Sequence, residues 1–161
     1  MANENDEMFE SGKAAPAGRA DALSERVLEL HGDRHNCAQS IACAFADVAR
    51  ADADALFALM EGFGAGMGGH VETCGAVTAG VAVIGLLASD GRESRTTKEE
   101  TYGIVDEFVE GFRAECGSTT CHVLKEASPV PTPHRCDGYM TCATRRLLQV
   151  LESHGLIAVE R

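Results

Sequence analysis

Tryptophan is absent from this chain of 161 residues, and aromatic residues make up only 5% of it. What remains for an interior is small: an Ala- and Gly-rich apolar set that suits closely packed helices better than a β-sandwich. Basic residues are also scarce, with 14 Lys and Arg against 25 Asp and Glu and a formal net charge of −11. Phosphate recognition needs clustered Lys and Arg, so this balance argues against a nucleic-acid partner. It argues equally against adhesion to anionic lipid, and fits a soluble surface. No long apolar run is present either. The longest uncharged stretch, Thr73 to Ser89, is broken by Gly75, Gly80 and Gly85 and falls short of the ~20 apolar residues a membrane span needs. Met1 to Glu10 is acidic and lacks the apolar segment of a secretory signal. No Cys-x-x-Cys occurs, which removes a zinc ribbon or a thioredoxin-type motif. Sustained two-residue alternation and internal repeats are missing as well, so a sheet is not expected.

The chain does have seven cysteines. Without an export signal, the expected location is the cytoplasm. In that reducing compartment thiols serve metal binding or catalysis more often than structural disulfides. The odd number also fits poorly with complete pairing.

Length and composition predict one domain: a flexible acidic tail over residues 1–19, then a helical domain over 20–161. The expected fold is an all-α bundle of six to seven helices. A first helix from Asp21 to about Leu30 places Leu23, Val27 and Leu30 on one face, with Gly32 as its stop. Asn36-Cys37-Ala38-Gln39 reads as a capping box. The helix it opens turns Cys37, Ile41, Ala44 and Val48 inward, and Ser40, Cys43, Asp47 and Arg50 outward. A third helix spans about Asp54 to Met60. Thr73 is the expected cap of a helix running to Leu87 that is apolar nearly all round and so central; Gly75, Ala79 and Ala82 give it a flat face. Thr97-Lys98-Glu99-Glu100 is a second expected capping box, opening a helix with Val105, Phe108, Phe112 and Cys116 on one side. Gly117 stops that helix. A short helix carries Cys121 and Leu124, and Pro129, Pro131 and Pro133 force an extended segment. A last helix from about Cys136 aligns Met140, Leu147, Leu148 and Leu151, with Gly155 as its stop.

On this reading Cys37, Cys74, Cys121 and Cys136 each face inward from the start of a helix. Unpaired N–H groups and the dipole there favour thiolate, the form that binds metals and attacks disulfides. Cys116 lies in a last turn, where the dipole has the opposite effect, and Cys43 and Cys142 lie on more polar faces. A single buried cysteine is ordinarily a small hydrophobe; four in the same placement form a candidate sulfur site. Ligands would have to converge from four separate elements, as they do in metal-binding bundles.

Gly64-Ala65-Gly66-Met67-Gly68-Gly69 matches the G-x-G-x-x-G pattern. That fingerprint needs a strand before it and a helix directly after it, and Ala55 to Met60 reads as helix. The alternatives are that Gly64, Gly66, Gly68 and Gly69 let the backbone approach a bulky cofactor or nest around an anionic one, or that they form a flexible connector. His70, His122 and His134 lie near cysteines and are weaker candidates as ligands or proton donors. Met67 and Met140 offer soft sulfur, with packing as their default role.

Asn36-Cys37-Ala38-Gln39-Ser40, Gly62-Phe63-Gly64-Ala65-Gly66-Met67-Gly68, Cys74-Gly75-Ala76-Val77-Thr78, Ser118-Thr119-Thr120-Cys121 and Cys136 together resemble the C_GCAxxG_C_C family of small redox-active proteins. The resemblance runs from about Asp21 to Leu151 and maps the family's four cysteines onto Cys37, Cys74, Cys121 and Cys136. Ala79 stands where the motif has its last glycine. The resemblance implies redox activity without naming a substrate. The expected function is a small redox or electron-transfer protein that meets a partner protein. Its four thiols either bind an iron–sulfur or other metal centre or cycle between dithiol and disulfide. The alternative is a non-redox module, a zinc or Cu(I) carrier or a structural zinc site. The small-residue face of the Cys74 helix leaves a homodimer open.

Overall fold

The computed structural model describes residues 18–94 and 97–159, and these fold into helices with no strand among them. The elements are α1 (Arg19–Gly32), α2 (Cys37–Ala44), α3 (Ala46–Ala49), α4 (Ala53–Met60), α5 (Gly75–Ala88), α6 (Gly91–Ser94), α7 (Lys98–Cys116), α8 (Cys121–Ala127) and α9 (Asp137–Ser153). The all-α class is as expected, but there are more helices than six or seven. The additions are the single-turn helices α3 and α6, too short to show a periodicity in sequence. The expected tail lies outside the described residues as far as residue 17, and Arg19 already belongs to α1.

Helix α5 is central, packing on α2, α7 and α9, while α1 lies across α2 and α9. Its apolar sequence explains the position, because Ala76, Val77, Ala79, Val83 and Ile84 are all buried. Against it stand Ile41 and Phe45 from the α2 region, Phe108 and Phe112 from α7, and Met140, Leu147 and Leu151 from α9, each fully buried. Burying each such side chain contributes about 1.5–3 kcal/mol.

Several local expectations need correction. The helix opened by Cys37 breaks at Phe45 and restarts as α3, ending at Arg50 in the left-handed region. Ser40, expected to face outward, is fully buried; its hydroxyl donates to the Asn36 carbonyl at 2.8 Å, which satisfies it inside the core. On α7, Ile104 is buried while Val105 is only half-buried. Thr97 makes no side-chain cap hydrogen bond, so the second capping box does not form. Thr73 does not cap α5 either; Cys74 occupies the N-cap position itself.

Candidate functional site

The four motif cysteines all lie at helix starts, each fixed by a different device. Cys37 is the first residue of α2. Asn36 Oδ1 accepts from the Ala38 and Gln39 N–H groups at 3.0 and 2.9 Å, and Gln39 Oε1 accepts from the Asn36 N–H at 3.0 Å. This reciprocal cap is the one the sequence announces. Cys74 and Cys121 are set side by side by a backbone clasp between distant segments. The Cys74 N–H donates to the Thr119 carbonyl and the Cys121 N–H donates to the Glu72 carbonyl, both at 2.8 Å. Thr73 and Thr120 form an isolated antiparallel bridge between them. Cys136 ends a tight turn, His134–Cys136, and is the N-cap residue of α9.

These four side chains line one cavity of about 230 Å³, together with His31, Asn36, Ala65, Lys125, Arg135, Tyr139 and Met140 among its wall residues. All four thiols are free. Two glycines make room for them. A β-carbon on Gly75 would lie 2.4 Å from Cys37 Sγ, and one on Gly66 would lie 2.5 Å from Cys121 Cβ.

Electrostatics at the cavity correct one expectation. The helix-start argument alone favours thiolates, yet burial pushes the Cys74 thiol up to about 12, and negative charge on Cys37 adds to the rise. The Ala76 and Val77 N–H groups pull it back, as the helix start should, but by less. Burial also raises Cys121 and Cys136; charge on Cys37 adds to both rises, and Lys125 opposes both. Desolvation outweighs the dipole because these sulfurs are turned away from water. The same couplings tie Cys37 to each of the other three thiols.

The glycine loop folds as a left-handed turn. Ala65, Gly66 and Met67 have φ of 52°, 57° and 58°, followed by Gly68 at 81°. From this loop Ala65 reaches the cavity wall. Gly64 packs against Asn36 and Gly66 against Cys121, while Gly68 and Gly69 lie exposed at the outer end.

The histidines singled out beside cysteines form exposed pairs. His70 Nδ1 lies 2.6 Å from Lys125 Nζ, His122 pairs with Glu126 at 3.4 Å, and His134 pairs with Asp137 at 2.8 Å. Met67 is exposed, whereas Met140 lines the cavity. The sequence reading passed over His31, Lys125, Arg135 and Tyr139. Helical spacing carries the signal for two of them: Lys125 is four residues after Cys121 and Tyr139 three after Cys136, which shares a face with the cysteine. Of the other cysteines, Cys43 Sγ lies 3.7 Å from the Ala53 carbonyl, and Cys116 and Cys142 meet each other.

A family model described as "Putative redox-active protein (C_GCAxxG_C_C)" matches residues 35–150, most of the chain. The chain belongs to the C_GCAxxG_C_C family. The stretch matched holds the caps, the clasp and all four cavity cysteines of this C_GCAxxG_C_C protein. No curated protein and no solved structure matches it.

The residues present fit a thiolate-bound centre on three counts. Four sulfur donors surround one space. Arg135 Nε, on a residue of the cavity wall, is buried with no hydrogen-bond partner among the described residues, a donor suited to an anionic occupant. Lys125 adds a positive charge. No group of three or more His, Cys, Asp or Glu residues is placed to hold a single metal ion among the described residues. No described helix is long and apolar enough to cross a membrane.

Proposed function

We propose that this protein is a small cytoplasmic electron-transfer protein whose four-cysteine cavity holds an iron–sulfur centre and exchanges electrons with a partner protein. The observation that carries this reading is the convergence of Cys37, Cys74, Cys121 and Cys136 on one cavity that also has Lys125 and Arg135 in its wall. Those four side chains would hold the centre, which supplies one-electron chemistry when bound. The protein's own part is electrostatic and steric. Lys125 offsets negative charge on the sulfurs. Arg135 offers an unspent N–H, and hydrogen bonds to sulfur with burial set the potential of such sites. The Tyr139 hydroxyl donates to the Leu124 carbonyl at 2.8 Å, locking α9 against α8 so that Cys136 and Cys121 keep their spacing. Raised pKa values make the Cys74, Cys121 and Cys136 thiols poor nucleophiles, and deprotonation would accompany metal binding.

The test is anaerobic purification followed by reconstitution with ferrous iron and sulfide. The expected result is bound iron and sulfide with a visible absorption band that bleaches on reduction, lost in Cys74→Ser and Cys121→Ser. A colourless, metal-free protein after reconstitution overturns the reading.

A second reading, dithiol–disulfide cycling, is favoured by the approach of Cys37 Sγ to Gly75, next in the chain to Cys74. It expects a Cys37–Cys74 bond under mild oxidation and no metal. The half-buried Val81 and Ala82 and the exposed Leu86 of α5 support a homodimer, which sedimentation would detect.

A further inference from the structure

Outside the cavity, two cysteines that the four-cysteine motif does not use stand nearly in bonding contact. Cys116 closes α7 and Cys142 lies in the second turn of α9. Their sulfurs are 3.2 Å apart, about 1.2 Å beyond the length of a disulfide bond. We propose that Cys116 and Cys142 form a second, independent redox site, a dithiol that small disulfides convert to an intramolecular disulfide.

The geometry divides the work between the two sulfurs. Cys142 is buried with 3% of its surface exposed, whereas Cys116 is half-buried at the end of its helix. An incoming disulfide therefore meets Cys116. Arg145 and Arg146 flank the pair; both hold the Glu115 carboxylate, at 2.8 and 2.9 Å. Their charges lower the Cys116 pKa against the larger opposing effect of burial. The Cys116 thiol donates a hydrogen bond to Cys142 Sγ, which turns the two sulfurs toward each other. The helix ends at Gly117 with φ of 85°, a left-handed stop that costs glycine little and fixes where Cys116 sits.

The step balances as two exchanges. The Cys116 thiolate attacks one sulfur of a low-molecular-weight disulfide, forming a mixed disulfide and releasing one thiolate. The Cys142 sulfur then attacks Cys116, the protein disulfide forms, and the second thiol leaves. Two electrons pass from the protein sulfurs to the small disulfide, and the two protons leave on the released thiols. The proposal does not rest on the cavity, whose wall includes neither Cys116 nor Cys142.

The test uses the full chain equilibrated with oxidised and reduced glutathione at graded ratios, quenched by alkylation and mapped by mass spectrometry. Trypsin leaves Cys116 with Cys121 on one peptide and Cys136 with Cys142 on another, so fragmentation of the linked pair must locate the bond. The expected product is a Cys116–Cys142 disulfide in most molecules, reversed by excess reduced glutathione. In Cys142→Ser, with an unchanged circular dichroism spectrum, a glutathione adduct should accumulate on Cys116. In Cys37→Ser the Cys116–Cys142 bond should form as in the parent chain, which separates this site from any failure of the cavity reading. The proposal is overturned if both cysteines stay alkylatable at every ratio, or if the bond found joins Cys121 to Cys136 instead.

Discussion

Cys37 Sγ occupies the space that a side chain on Gly75 would need: a β-carbon built there lies 2.4 Å from the sulfur. Gly75 follows Cys74 and opens α5, so the start of the central helix and the thiol of α2 are in direct contact. Their closeness is what lets charge on Cys37 raise the Cys74 thiol.

Gly75→Ala should therefore disturb the site and the fold together. The sulfur can swing away, but the Phe63 carbonyl and the Ala38 nitrogen would also lie 3.1 and 3.2 Å from the added methyl, and backbone yields less readily. Overpacking of this kind costs about 1–3 kcal/mol. Urea denaturation should show a lower midpoint, and reconstitution should give a reduced yield of bound iron. A variant as stable and as readily loaded as the parent would mean that Cys37 does not pack here.

Asn36→Ala removes a cap whose two acceptor bonds were readable from four consecutive residues. The expected loss is about 1–2 kcal/mol, measured by urea unfolding. Asn36 Nδ2 also donates to the Glu61 carbonyl at 3.0 Å, tying α2 to the turn after α4. Asn36→Asp keeps the cap but presents a carboxylate oxygen to that carbonyl, and should recover only part of the loss. Full recovery would show that the tie to Glu61 contributes nothing.

That contrast marks how far sequence carries. The cap at Asn36 and the left-handed stop at Gly117 depend on neighbours in the chain and were legible. So was the helical class, from the period of the apolar residues. Thr73 failed as a cap because it is drawn into a bridge with Thr120, a partner that only the folded chain supplies. Gly80 was overlooked as a packing residue for the same reason: a β-carbon there would lie 2.3 Å from the Phe108 ring, and nothing local announces that ring. The helix starts of the four cysteines were legible; the thiol electrostatics were not, because burial depends on the whole bundle and it overrode the local dipole. The 3.2 Å approach of Cys116 and Cys142 depends on the packing of α7 on α9, so neither cysteine's own helix face revealed it.

The raised Cys74 pKa has a consequence for alkaline stability. The thiol titrates near 9.0 in the unfolded chain and is held up to about 12 in the fold. Below 9 both states are protonated and the difference has no effect. Above it the unfolded chain loses the proton first, so this group's contribution is lost progressively as pH rises through that window. Urea midpoints of the metal-free protein should fall from pH 9 upward, and Cys74→Ala should flatten that fall while lowering stability at pH 7. An unchanged slope in the variant would assign the alkaline loss to other groups.

Met67 offers a gain instead of a loss. It sits at φ 58°, ψ 43° with 47% of its surface exposed, so it bears left-handed strain and has little packing to lose. The left-handed conformation costs an L-residue roughly 1–2 kcal/mol, and part of the relief from glycine returns as unfolded-state entropy of about 0.5–1 kcal/mol. Met67→Gly should stabilise the chain by about 0.5–1 kcal/mol on balance. Met67→Val should move the other way, because a β-branched side chain is least tolerated at positive φ. Ala65 adopts the same conformation but lines the cavity, so its substitution would confound strain with site chemistry. The Gly and Val variants at position 67, compared by urea unfolding of the metal-free protein, isolate the turn: opposite signs support it, and equal losses would place Met67 in an unstrained, packed role.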